Sequence, residues 1–268
     1  MDSEITQLGL LDDEELTLDD AALALAAIDH PDVDLEPYHM IIDDIVVRLA
    51  DIGADAIDAK ARAAVLARAI ADEFDFVGDR ETYDDPDNAD LIRVIDRRRG
   101  LPVSLSILYV AVARRVGWTA DALDVPGHVL ALIGDEAQPV VVDPFRGGVV
   151  VEAPELSRLF APTTGEDAPA VRHIATMSNR AILSRLLLNQ ASRAEASGKG
   201  RRALSLYERI TTFAPDDGHA WWHRARLELM DGDVAAARRS LTAMLEISRD
   251  PALRARVVAT LNDLPGHA

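Results

Sequence analysis

Three residues of this 268-residue chain have the type and spacing for acid–base or nucleophilic chemistry: Ser104, His128 and Asp143. His128 follows Pro126-Gly127 and opens the apolar run His128-Val129-Leu130-Ala131-Leu132-Ile133. Asp143 closes Pro139-Val140-Val141-Val142-Asp143 and precedes Pro144-Phe145. An imidazole on one strand and a carboxylate on the next supply a base and its orienting acid, the pair that activates a nucleophile in acyl transfer. The nucleophile is the difficulty. The nearest segment that could face the pair is the start of the preceding helix, in Arg99-Gly100-Leu101-Pro102-Val103-Ser104-Leu105, and the chain has no cysteine. Pro102 offers no nucleophilic atom and no N–H for an oxyanion hole. Ser104 stands about half a helical turn further on and projects in a different direction. A serine also needs stronger activation than a thiolate.

The elements that must hold these residues follow from hydrophobic period. Positions 103–116 are apolar almost all round, which predicts a buried helix. Arg114-Arg115 suit its last turn and Gly117 its end. Beyond it the pattern changes to strands over 120–125, 128–133, 139–143 and 149–151, with a hairpin connection at 134–137. A helix followed by an antiparallel meander predicts an α+β core.

Upstream, Thr17 or Asp19 caps a helix through Ala21–Ile28 that Pro31 stops. A second starts near Pro37 and runs through Ile42, Ile45 and Leu49 to Gly53; a third spans about Asp55 to Phe74. The first dozen residues, with Asp12-Asp13-Glu14-Glu15, are expected to be frayed or loosely docked. Three regions result: an N-terminal helical subdomain over 1–75, the α+β core over 76–162, and a helical region over 170–268. Thr163–Pro169 reads as the linker. The last region carries a weak 34-residue repeat, with Gly198/Gly232, Ala203/Ala237, Tyr207/Leu241 and Ile210/Met244 in register and Pro215 and Pro251 after paired helices. Those are tetratricopeptide features, and they predict a surface for a protein or peptide.

Composition narrows the function classes. A net charge of −18 opposes nucleic acid and anionic membranes. Without cysteine there is no disulfide or zinc–thiolate site. The acidic segment beginning at Asp85 fails the calcium-loop pattern, with Ala89 at the fifth position, where an oxygen ligand is needed, and Asp90 at the sixth, where the loop needs glycine. His219 and His223 lack a third ligand, and Trp221-Trp222 beside them read as packing. No metal or cofactor is expected. Arg97-Arg98-Arg99 is expected to pair with the preceding aspartates. The N-terminus has no signal-peptide pattern and no run approaches the ~20 apolar residues of a membrane span, so a soluble cytoplasmic protein is expected.

Gly100-Leu101-Pro102, the buried helix ending Arg114-Arg115-Val116-Gly117, Pro126-Gly127-His128 and Asp143-Pro144 together resemble the transglutaminase-like superfamily. That resemblance implies a papain-like core and places the family's histidine on His128 and its aspartate on Asp143. It places the family's cysteine on Pro102. Phe76-Val77-Gly78, Tyr83-x-Asp85-Pro86-x-Asn88, Asp143-Pro144-Phe145-x-Gly147-Gly148 and Asn179-Arg180-x-Ile182-Leu183-x-Arg185-x-Leu187 are similar to the SirB-like branch, implying a transglutaminase-like domain with a tetratricopeptide tail and a bacterial origin. Two functional readings follow. One is a non-catalytic scaffold that binds protein; the other is a hydrolase or amidase using Ser104, His128 and Asp143, or water activated by His128.

Overall fold

Residues 2–10, expected to fray, form a helix. In the computed structural model, which describes residues 2–135, 137–160 and 176–265, this is helix α1 (Asp2–Leu10). Ile5 is buried, and a Cβ on Gly9 would stand 2.8 Å from the Thr212 carbonyl oxygen, so only glycine permits this close approach. The partner backbone lies some two hundred positions away in the chain, beyond the reach of any local pattern. Residues 1–11 and 187–268 form one compact unit and residues 12–186 another.

In the larger unit, α2 (Leu18–Ala27) follows Thr17, α3 (Glu36–Ile52) ends at Gly53, and α4 (Ala59–Ala67) starts from an N-cap at Asp58 and continues in π geometry to Glu73. Strand β1 (Val77–Gly78), α5 (Leu91–Arg97) and β2 (Arg99–Gly100) lead to α6 (Pro102–Arg115). Pro102 occupies an early helical position, where its fixed φ helps and its missing N–H costs nothing. Every residue of α6 from Pro102 to Ala113 is buried. The helix packs against α2 and α3 and against strands β3 (Ala120–Val125) and β4 (His128–Ile133).

The sheet has the order β6-β5-β4-β3-β7 and is antiparallel, with β5 (Val140–Asp143), β6 (Val149–Val150) and β7 (Thr176–Met177). Helix α7 (Ala153–Phe160) follows β6, and Leu156 and Leu159 pack on Leu123, Val125 and Leu130. β7 is absent from the sequence expectation. It lies just after residues 161–175, so the segment expected as the linker falls outside the described residues.

Two polar hubs tie the helices to this core. Arg115 joins α6 to α2 and α3, donating to Asp19 Oδ2 at 2.9 Å and Asp43 Oδ1 at 2.5 Å. Asn179, at the start of α8 (Asn179–Ala196), accepts from Arg114 at 2.6 Å and donates to the carbonyls of Asp13 and Leu16. The Asp13 carboxylate accepts the backbone N–H groups of Asn179 and Arg180, satisfying donors the helix leaves open.

In the other unit α9 (Gly200–Phe213), α10 (Gly218–Met230), α11 (Val234–Ile247) and α12 (Pro251–Asp263) follow. Gly198 and Gly232, in register in the sequence, both adopt positive φ at the turns before α9 and α11. Ala203/Ala237, Tyr207/Leu241 and Ile210/Met244 are all buried. Trp221 and Trp222 pack on Ala225, Leu241, Met244 and Val257, and the Trp221 indole donates to the Pro215 carbonyl at 2.7 Å. His223 stacks on Tyr207 at 5.2 Å and lies 3.4 Å from Glu195, which also takes Arg226. Burial, and then the neighbouring His219, lower the basicity of His223.

Candidate functional site

Antiparallel register brings the histidine and aspartate together. Ala131 pairs with Val142, which sets Asp143 opposite Leu130. His128, two residues from Leu130, shares that face and is the diagonal neighbour of Asp143, a relation long side chains can bridge. His128 Nε2 lies 3.0 Å from Asp143 Oδ1. The same Oδ1 accepts the Phe145 backbone N–H at 3.0 Å, and Oδ2 accepts Arg146 Nε at 2.7 Å. Arg146 continues to Glu155 at 2.8 Å. Burial opposes ionisation of Asp143, but the His128 hydrogen bond and the Arg146 charge outweigh it and hold the carboxyl below its usual range. With Nε2 committed, Nδ1 is the ring nitrogen left for chemistry, and it has no hydrogen bond among the described residues. The imidazole is 20% exposed, while Asp143 is only 5% exposed.

Ser104 does not join them. Its hydroxyl is fully buried and donates to the carbonyls of Asn88 at 2.8 Å and Leu101 at 3.0 Å. One O–H serves two acceptors, so no proton is left over for a base. The Ser104–His128–Asp143 arrangement is therefore assembled only in its His–Asp half. What Ser104 does instead is structural. Asn88 O also accepts the Leu101 N–H at 3.0 Å, and Asn88 Nδ2 donates to Thr82 O at 2.7 Å. The serine and asparagine thus lock the 82–88 segment over the first turn of α6. Gly100 is required there because a Cβ would stand 2.7 Å from Ser104 Oγ. Ser106, which carries no motif of its own, donates to the Val129 carbonyl beside His128 at 3.2 Å.

The strands β1 and β2 run parallel, Val77 against Arg99 and Gly78 against Gly100, and carry residues 77–82 alongside the turn before α6. Gly78 lies against Phe145: a Cβ there would sit 2.5 Å from the Phe145 ring and collide with its carbonyl oxygen. Phe145 in turn meets His128 edge-on at 6.2 Å and Tyr83 at 5.7 Å. Gly78→Ala is expected to push Phe145 off the histidine and cost about 1–2 kcal/mol by overpacking. A urea midpoint equal to that of the parent would disprove this contact.

Beside Phe145 opens a cleft of about 730 Å³, lined by Val77–Thr82, Arg97, Arg99, Phe145–Gly147 and neighbouring residues. Arg97 pairs with Asp79 at 2.9 Å, as the arginine–aspartate expectation has it; Arg98 instead lies over the Phe76 ring at 4.4 Å, and Arg99 donates to backbone carbonyls. Burial of Asp79 disfavours its charge, but the Thr82 hydroxyl and the backbone amides of Thr82 and Glu81 hold it ionised, with a pKa of about 2. Among the described residues no three His, Asp or Glu side chains are gathered as metal ligands, and no helix is long and apolar enough to cross a membrane.

Residues 36–188 match the transglutaminase-like superfamily. The UPF0162 protein of Xylella fastidiosa strain 9a5c is 31% identical over 244 residues, covering 90% of this chain and 87% of that protein. The UPF0162 protein of Vibrio cholerae is 28% identical over 211 residues, 77% of each chain. A local similarity to mouse F-box only protein 21, 34% over 74 residues, spans 28% of this chain and 12% of that protein.

Proposed function

The chain belongs to the transglutaminase-like superfamily, and from that premise we propose that it is a non-catalytic member that works by binding another protein. One observation carries the reading. The helix start that resemblance assigns to the nucleophile is Pro102, and the nearby Ser104 hydroxyl is spent on two main-chain carbonyls. The His128–Asp143 pair then serves as a part-buried polar brace, fixing the ends of β4 and β5 and anchoring Phe145 and Arg146. The glycine turns at 198 and 232, with small buried residues in register, support a tetratricopeptide-like helical region as a second binding element. The motifs shared with the SirB-like branch favour that finer assignment.

A second reading draws on the open Nδ1 of His128. With a carboxylate behind it, this nitrogen can act as a general base toward water without any protein nucleophile. The test is common to both. Purified protein is screened against amide, ester and thioester substrates together with His128→Ala. The scaffold reading expects no turnover that differs between the two proteins. Hydrolysis abolished by His128→Ala, in a variant with unchanged circular dichroism and melting, would overturn it and establish the water-activating role.

A further inference from the structure

The cleft beside Phe145 is the feature that the fold does not use. Residues 12–186 contain 34 Asp and Glu against 16 Lys and Arg, so a cation in this unit meets a carboxylate by default. Arg48, Arg93, Arg114 and Arg115 all do. The cleft departs from this locally: four arginines, Arg80, Arg97, Arg99 and Arg146, line it together with three carboxylates, Asp72, Asp79 and Glu81. Arg97 is committed to Asp79, and Arg146 to Asp143 and Glu155. Arg80 and Arg99 pair with no carboxylate among the described residues. Both are exposed, and Arg99 donates only to the carbonyls of Asp75 and Arg98.

We infer that this cleft recognises a short acidic segment of a partner protein, whose carboxylates are taken by Arg80 and Arg99. A guanidinium fork matches a carboxylate, and a charge-assisted bond of this kind is among the stronger ones available. Phe145, Val77 and the exposed Val149 add apolar surface for a neighbouring aliphatic side chain. The volume lies in the range of sites for small ligands, roughly 300–1,000 Å³, and suits a few residues. Asp72 and Glu81, with the acidity of the whole unit, exclude a polyanion such as nucleic acid, whose phosphates would meet them along with the arginines. The ligand must carry few negative charges, closely placed.

This inference rests on the binding role proposed above and names the partner's chemistry. Its test is a titration of the full-length, isotope-labelled protein with the capped peptide acetyl-Glu-Val-Asp-Val-amide, followed by backbone amide shifts. Saturable shifts confined to residues 77–82, 99 and 145–149, weakening as salt is raised, are the expected result. Arg80→Ala with Arg99→Ala should weaken binding roughly tenfold or more, since each removes an ionic hydrogen-bond donor. Both positions are exposed, so the variant keeps the fold. Shifts that are absent, that persist in the double variant, or that appear equally with acetyl-Gln-Val-Asn-Val-amide would overturn the site. Glutarate binding as tightly as the peptide would overturn the peptide assignment in favour of a free dicarboxylate. The titration reads binding without turnover. Discovery of His128-dependent hydrolysis would end the scaffold reading and leave the cleft's recognition standing; a null titration would remove the cleft alone.

Discussion

Arg115→Ala is expected to lower the stability of this protein by about 3 kcal/mol, read as a fall in the urea midpoint. The reason is Asp19. Its side chain is 0% exposed, Arg115 is the cation 2.9 Å from its Oδ2, and its Oδ1 finds no partner among the described residues. Removing one partner of a buried pair leaves an uncompensated charge, at a cost of about 3–5 kcal/mol; the partial exposure of Arg115 places the value at the lower end. Burial, and then Asp20, raise the Asp19 pKa even with the arginine present. A carboxyl whose folded value is raised contributes stability below its unfolded value and loses it as the pH climbs through the folded value. Removing Arg115 takes away an influence that lowers that value, so the penalty should be largest near neutral pH and shrink on acidification, as Asp19 becomes protonated. A second variant, Asp19→Asn with Arg115→Ala, should recover part of the loss. An equal penalty at both pH values would mean that Arg115 acts through packing or Asp43 alone.

Asp143→Ala is expected to cost about 2–3 kcal/mol, because one carboxylate holds three donors: His128 Nε2, the Phe145 N–H and Arg146 Nε. Arg146 keeps Glu155 and part of its exposure to water, which limits the loss. The pH dependence has the opposite sign to that of Asp19. The Asp143 pKa is lowered in the folded protein, so its contribution is present above the unfolded value and is lost as pH falls through the folded one. The difference between parent and Asp143→Ala should therefore narrow on acidification. Asp143→Asn retains an acceptor for the Phe145 N–H but loses the charge shared by His128 and Arg146, and should fall between the two. If Asp143→Ala melted with the parent at neutral pH, the pair would not brace the strand ends, and the structural role assigned to it would fail.

Several expectations met the structure directly. The period-2 runs became β3, β4 and β5, and Gly53 and Gly117 stand at the ends of α3 and α6. Other features had no local signal. Helix α1 depends on Gly9 fitting against Thr212, β7 is two residues long and pairs with β3, and Asn179 draws on Arg114, 65 positions away, and Asp13, 166 positions away.

Residue types and their period are enough to require a buried helix before an antiparallel sheet, to put His128 and Asp143 on neighbouring strands, and to deny them a thiol. Those features are written in neighbours two to four positions apart, the range over which helix and strand periods act. Long-range packing makes Ser104 a main-chain lock rather than a nucleophile, buries Asp19 against a cation 96 residues away, and brings Arg80 and Arg99 to one cleft. Each of these turns on which side chains meet across long stretches of chain. Periodicity fixes the face a residue occupies; packing alone fixes the atom it finds there.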